Sequence, residues 1–351
     1  MSEPTHQRKT MKQFAAVALL AAISASASAQ SQVTLFGIVD VGARYVKNGD
    51  EHVKSLSSNG LNTSRLGLRG VEDLGDGLKA SFWLESGLNP DTGTQSDSGR
   101  FWNRRSTVSL SGNFGEVRLG RDFTPTYTAI SDYDAFGDNG VGAFGKFAPK
   151  LGTAVDTLTR ADNEASYFLP TGLGGFYGQL SVASGEGTAG KKYVGGRAGY
   201  AAGPLDVSVS AGQTTVAPIV AGEDKFKQFS VGGSYDFGLA KLTGSAAEYK
   251  YSDFKLVLAN IGAVIPVGQG WVRVSYINAN ASGPGIDAND ANQFAVGYIY
   301  DLSKRTALYT TVARVNNKGA AAYVVDANPA LPVPNPGKDS TGFEVGIRHR
   351  F

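Results

Sequence analysis

From Val33 to the last residue, Phe351, apolar side chains recur with a period of two, and nowhere in that span are they sustained at helical spacing. In the first such segment Val33, Leu35, Val39, Val41 and Tyr45 share one face, with Thr34, Asp40 and Arg44 on the other. Leu66 and Leu68 oppose Arg65 and Arg69, and Trp271, Arg273 and Ser275 oppose Val272, Val274 and Tyr276. At the end Phe343, Val345, Ile347, His349 and Phe351 oppose Glu344, Gly346, Arg348 and Arg350. Successive side chains of a strand point to opposite faces, so the chain is committed to a sheet with one apolar and one polar surface.

The breaks between these segments fall into two populations. Compact ones lie at 72–77, 112–115, 170–175, 202–204, 236–239, 266–270 and 301–304. Longer, more polar ones lie at 47–60, 89–99, 122–159, 185–191, 217–224, 280–290 and 316–340, with a tight reversal at Ser252 and Asp253 completing that set. Placed alternately, they delimit 16 strands. An even strand number with short turns at one end and long loops at the other is the form of an outer-membrane barrel. Lipid offers no partner to exposed backbone groups, so a spanning sheet must close on itself. No second apolar face exists to fill the interior, which reads the lumen as polar and wet and sets aside a soluble sandwich.

The N-terminus fits export. Arg8, Lys9 and Lys12 precede the apolar run 14–23, and Ala27-Ser28-Ala29 has the form of a cleavage site, so residues 1–29 are read as a signal peptide and 30–351 as one barrel domain. Cleavage there takes three of the 33 basic and one of the 31 acidic residues, leaving no net charge. No basic block supports a nucleic-acid partner. Cysteine is absent, so ladder hydrogen bonds rather than disulfides must hold the wall, and 46 glycines suit the many turns.

Two stretches, 140–146 and 185–191, match nucleotide-binding patterns by letter, but Phe147 and Lys192 stand where Ser or Thr is needed and neither opens a helix. Of three histidines, His6 falls in the signal, His52 in an outer loop and His349 on the lipid-facing register, so no catalytic triad, metal cluster or cofactor site can be assembled. Prolines 329, 332, 334 and 336 stiffen a loop.

What the residues support is transport. The segment 122–159 is the longest without strand pattern and carries Asp132, Asp134 and Asp138; folded inward, it would narrow a pore. Across from it the wall offers Arg65, Arg69, Arg104, Arg105 and Arg160. Opposed charges across a narrow neck set up a transverse field that favours charged solutes. Strict alternation puts Arg104 in register with Val108 and Leu110, so either a bulge intervenes or Arg105 faces the pore.

The segments 30–40, 64–75, 104–112, 113–122, 301–309 and 346–351 together resemble the general porins of β-proteobacteria, and within them the anion-selective type of Comamonas and Delftia. The resemblance spans the mature chain. It implies an all-β, 16-stranded antiparallel transmembrane β-barrel with short periplasmic turns, long outer loops and a pore-constricting third loop, assembled as a homotrimer in the outer membrane of a Gram-negative bacterium. Arg65, Arg104 and Arg160 then form the basic side of the constriction, with Arg69 and Arg105 as further candidates, and Glu85 and Asp134 the acidic side, with Asp132 and Asp138 as alternatives to Asp134. The implied activity is passive diffusion of ions and small hydrophilic solutes with an anion preference. A substrate-specific channel is the alternative, with a barrel enzyme behind it. The implied partners are outer-membrane lipid, lipopolysaccharide and the barrel-assembly machinery, which reads Phe351 as part of its signal and as the seam of the closed barrel.

Overall fold

A computed structural model describes residues 32–326 and 334–351; the expected signal peptide and Pro329 and Pro332 lie outside these. The strands in chain order are β1 (Gln32–Asn48), β2 (Glu51–Ser58), β3 (Arg65–Gly75), β4 (Leu78–Asn89), β5 (Thr94–Gln95), β6 (Arg105–Gly112), β7 (Gly115–Phe123), β8 (Arg160–Phe168) and β9 (Phe176–Ala183). They continue as β10 (Lys192–Ala202), β11 (Leu205–Val220), β12 (Glu223–Asp236), β13 (Lys241–Tyr251), β14 (Phe254–Val267), β15 (Gly270–Ser282), β16 (Ala291–Asp301), β17 (Thr306–Asn317) and β18 (Ser340–Arg350). All pairings are antiparallel, and β1 pairs β18 from Ile38 with Arg350 to Asn48 with Ser340, so the sheet closes. Sixteen strands make the wall; β2 and the two-residue β5 are additions within outer loops.

Burial is inverted relative to a water-soluble protein. Leu180, Phe176 and Val33 are 67%, 63% and 61% exposed, whereas the inward Ser230 and Ser210 are 2% and 3% exposed. Such a surface is stable against hydrocarbon, where apolar side chains cost nothing and ladder hydrogen bonds leave no backbone group unpaired.

Two expected loops are largely strand. Residues 47–60 contain β2, which pairs back on the outer half of β1, while β3 pairs the inner half. The chain breaks between them at 59–64, and Asp40 builds the break: its carboxylate accepts the N–H groups of Gly60, Leu61 and Asn62 at 3.3, 2.9 and 2.6 Å and the hydroxyl of Tyr309 at 2.6 Å. Within 217–224, β11 continues to Val220 before turning into β12.

The lumen is also less uniformly polar than alternation implies. Tyr249, Tyr251, Leu256, Leu258 and Ile277 turn inward and are buried, and Phe136, Val141, Phe144 and Phe147 of the third loop pack in the same cluster. A wall facing water would not be apolar here. It is apolar because the loop covers it, which removes both surfaces from solvent.

Candidate functional site

The long connection between β7 and β8 folds into the lumen. Thr124 N–H bonds the carbonyl of Thr159 at 3.1 Å, pinching its base, and Pro125 pre-sets the first turn of the helix Pro125–Ser131. That helix packs on the β10–β13 wall. Tyr133 follows, fully buried, with its hydroxyl 3.0 Å from both Asp206 and Ser208.

The tip, 140–147, crosses to β16–β18 and is moored there. Val141 N–H donates to Glu344 Oε1 at 3.3 Å, and Glu344 is held by Arg44 at 2.7 Å. The amide of Gln293 donates to the Gly142 carbonyl at 2.9 Å. Lys146 Nζ donates to the carbonyls of Val141 and Val325 and to Gln293 Oε1 at 2.6, 2.8 and 2.9 Å, so each of its three N–H groups is matched. Burial nevertheless pulls this ammonium down to about 7, against the attraction of Asp326, Glu344 and Asp138.

What lumen is left runs between this loop and the β3–β8 wall. Here Glu85, 6% exposed, accepts Arg65 Nη1 at 3.2 Å, Arg104 Nε at 2.6 Å and the Trp83 indole N–H at 3.2 Å. Arg160 donates to the Arg104 carbonyl at 2.7 Å and lies over the Phe123 ring at 4.0 Å. Phe123 stacks in turn on Tyr127 of the loop at 4.9 Å, so Arg65, Glu85, Arg104 and Arg160 form one continuous group reaching the loop. Arg104 immediately precedes β6, outside the pleat, which lets it and Arg105 both turn inward. Arg105 sits 3.4 Å from Asp122 and over Trp83. Arg69 lies over the rings of Trp83 and Phe36 at 5.2 and 5.4 Å.

Two participants had no place in the sequence reading. Arg118 pairs with Asp122 at 2.8 Å and with Glu116 at 2.8 Å. Their signal was present, since Glu116 and Arg118 alternate with Val117 and Leu119. The wall therefore repeats one motif, a carboxylate shared by two guanidiniums, at Glu85, at Asp122 and, with Arg100 and Arg121, at Asp162.

The loop carboxylates are engaged elsewhere. Asp132 pairs with Arg197 of β10 at 2.6 Å. Asp134, 8% exposed, accepts the N–H groups of Phe136 and Asp138 at 3.2 and 2.8 Å; burial pushes its carboxyl up to about 6. Asp138 accepts the Tyr127 hydroxyl at 2.9 Å and Gly145 N–H at 2.8 Å, and burial raises it too. Of the three, Asp138 is joined through Tyr127 and Phe123 to Arg160.

Comparison with known proteins agrees with this architecture. The family model described as Gram-negative porin matches residues 15–320. Outer membrane porin protein 32 of Delftia acidovorans is 43% identical over 97% of this chain and 99% of its own length. An outer membrane porin protein of Bordetella pertussis is 31% identical, covering 97% of this chain and all of that one. The solved anion-selective porin from Comamonas acidovorans superimposes with a TM-score of 0.84 at 41% identity, covering 92% of this chain and 100% of that one.

Proposed function

We propose, from the premise that this chain belongs to the Gram-negative porin family and is an outer-membrane channel, that its neck favours small anions and that Arg65, Arg104 and Arg160 set that preference. The observation supporting it is the charge balance of the neck. Glu85 alone is shared by Arg65 and Arg104, and Arg160 has no carboxylate within ion-pair distance among the described residues, whereas Arg105 and Arg118 are matched by Asp122 and Glu116. The loop carboxylates that would offset this excess are tied to backbone N–H groups, to Tyr127 or to Arg197. A fixed positive field in a partly desolvated constriction raises anion entry and opposes cations.

Reversal potentials of the purified protein in a planar bilayer under a KCl gradient test this. The wild type should pass chloride over potassium, and Arg65→Gln with Arg160→Gln should lower the ratio. Cation preference in the wild type would sink the reading. A substrate-specific channel would instead show saturable block of its current by one solute, where a general pore stays roughly ohmic with monovalent salts.

Three partners belong to the same proposal. The assembled unit is a trimer, as the resemblance implies; cross-linking of the detergent-extracted protein should stop at three copies. Phe351 exchanges N–H···O bonds of 3.1 Å with Gly37, which fits a terminal aromatic that is both seam and signal for the assembly machinery. Lipopolysaccharide suits the outer end of the lipid-facing wall, where Lys227 lies opposite Lys250 and Lys250 opposite Lys255 in the ladder. Like charges directly opposed are unfavourable, and the one carboxylate near them, Glu248 at 4.0 Å from Lys255, leaves two of the three lysines for an anion such as a glycolipid phosphate. Alanine at all three should reduce co-purifying lipopolysaccharide; unchanged content would refute that contact.

A further inference from the structure

Beside the neck the lumen holds a second chamber of about 640 Å³, with Ser303 and Lys304 of a short turn in its lining. Its walls are β15, β16 and β18, the 59–64 break and the stretch 134–139 of the loop. Four cations line it, Arg273, Lys304, Arg348 and Arg350, against two carboxylates, Asp134 and Asp301. Neither carboxylate is well used by those cations. Asp134 is turned to the loop backbone, and Asp301 accepts the Trp271 indole at 3.0 Å while Arg348 reaches it only at 3.9 Å.

The guanidiniums are correspondingly short of acceptors. Arg273 is 5% exposed, lies over the Phe136 ring at 4.4 Å and has no ion pair among the described residues; its Nε and Nη2 find no hydrogen-bond acceptor, and neither does Arg348 Nε. Arg348 Nη1 and Arg350 Nη2 converge, each at 3.2 Å, on a single neutral oxygen, Oδ1 of Asn62. Two guanidinium forks aimed at one point ordinarily meet a carboxylate or phosphate there. Asn62 supplies the hydrogen-bonding oxygen without the charge, so the chamber keeps an excess of two positive charges.

We propose that this chamber is a binding site for small divalent oxyanions, sulfate- or phosphate-like in chemistry, in which Arg348 and Arg350 grip the oxygens and Arg273 supplies an unpaired buried charge. The proposal rests on the reading of the lumen as an anion path; the chamber adjoins the neck, since Arg350 and Arg65 lie on either side of Ile38 of β1, but its cations are a different set. Anions that have passed Arg65, Arg104 and Arg160 would dwell here before release on the short-turn side, and a dianion would be held more strongly than chloride.

The test is block of chloride current through the full-length reconstituted channel by added sulfate. The wild type should show a partial, saturable block. Asn62→Asp places a fixed carboxylate at the convergence point while keeping the backbone N–H that Asp40 accepts, so it should raise the half-blocking sulfate concentration at least tenfold. Arg348→Gln should do the same by removing one fork, and circular dichroism checks that both variants keep the barrel. Arg104→Gln with Arg160→Gln, which leaves Arg65 in place beside the chamber, should change the reversal potential and leave the half-blocking concentration within about twofold. Absence of saturable block in the wild type, or block that survives both chamber variants and disappears in the neck variant, overturns the proposal. Cation preference in the salt gradient would defeat the neck reading alone, because the sulfate titration is read independently of it.

Discussion

Replacing Glu85 by glutamine isolates the sign and range of the neck's field. The carboxylate neutralises part of a group whose cations are Arg65 and Arg104, with Arg160 adjoining through the Arg104 carbonyl. Removing it changes the local charge from two positive to three. For an ion passing ~6 Å away, one unit charge is worth ~0.7 kcal/mol at the dielectric of water and ~2.8 kcal/mol at an effective value of 20. Even the lower figure acts in opposite directions on chloride and potassium, so the permeability ratio shifts by ~1.4 kcal/mol, about tenfold in favour of the anion. Screening gives an internal control. At 0.1 M salt the Debye length, ~10 Å, exceeds that separation; at 1 M, ~3 Å, it does not, so the gain should shrink there. The same change leaves three donors facing a neutral amide, and the thermal midpoint should fall, since losing one member of a buried ion pair is costly. Reversal potentials at the two salt concentrations decide the matter. A ratio unchanged at 0.1 M, or a gain that persists in full at 1 M, would refute the electrostatic account.

Selectivity should also depend on pH through the third loop. Asp134 titrates about 6, raised from 3.8, and Lys146 about 7, lowered from 10.5. Lowering the pH from 8 to 5 adds a proton to each, making the loop more positive, and the chloride-over-potassium ratio should rise; a ratio that falls would contradict the placement of these groups. Stability follows the opposite signs of the two shifts: between 3.8 and about 6 only the folded chain holds the Asp134 proton, so stability falls as pH rises there, whereas between about 7 and 10.5 only the unfolded chain holds the Lys146 proton, so stability rises with pH. Gly140 has φ +64, and a side chain there would crowd the Gly60 carbonyl and the Glu344 carboxylate. Gly140→Val should therefore cost about 1–3 kcal/mol of local strain, loosen the moored tip and raise and destabilise single-channel conductance; wild-type traces would show that the tip is held otherwise. Deleting Phe351 removes both hydrogen bonds to Gly37, and assembled barrel should fall while unassembled chain accumulates in the periplasm; a normal yield in the outer membrane would refute its role as seam.

The wall was legible where strands meet lipid and faded where they leave it. Val33 to Tyr45 and Phe343 to Phe351 alternate because one face must be apolar against hydrocarbon and the other wet, and the structure places them side by side at the closure. β2 has no such constraint. Glu51 to Ser58 lies on the outer half of β1, where both faces are polar, so its sequence reads as loop although its backbone is paired throughout. The end of β11 fails in the same way: Pro218 and Gly222 read as loop, yet the strand runs to Val220. Periodicity reports a change of environment across the sheet, and here it is too short to read, since single residues, Val53 and Val220, pack against the apolar cluster.

The site divides along a different line. Alternation indicated which strand charges face inward, though not Arg104, which precedes β6; which charges meet it did not indicate, because the decisive pairs are remote in the chain: Arg44 and Glu344 are 300 residues apart, and Lys146 reaches Gln293 and Val325. The inward apolar residues of β13 to β15 were concealed for a related reason. Tyr249, Tyr251, Leu256, Leu258 and Ile277 are inward yet dry, which makes sense only once the third loop lies against them. That seat has a consequence for charge. The loop's own hydrogen bonds take up Asp134 and Asp138, and Arg197 takes up Asp132, so the loop narrows the channel without presenting a free carboxylate row to it. On the proposed reading, the expected transverse field between acidic loop and basic wall is reduced to a field of one dominant sign, because the packing that seats the loop also ties up its carboxylates.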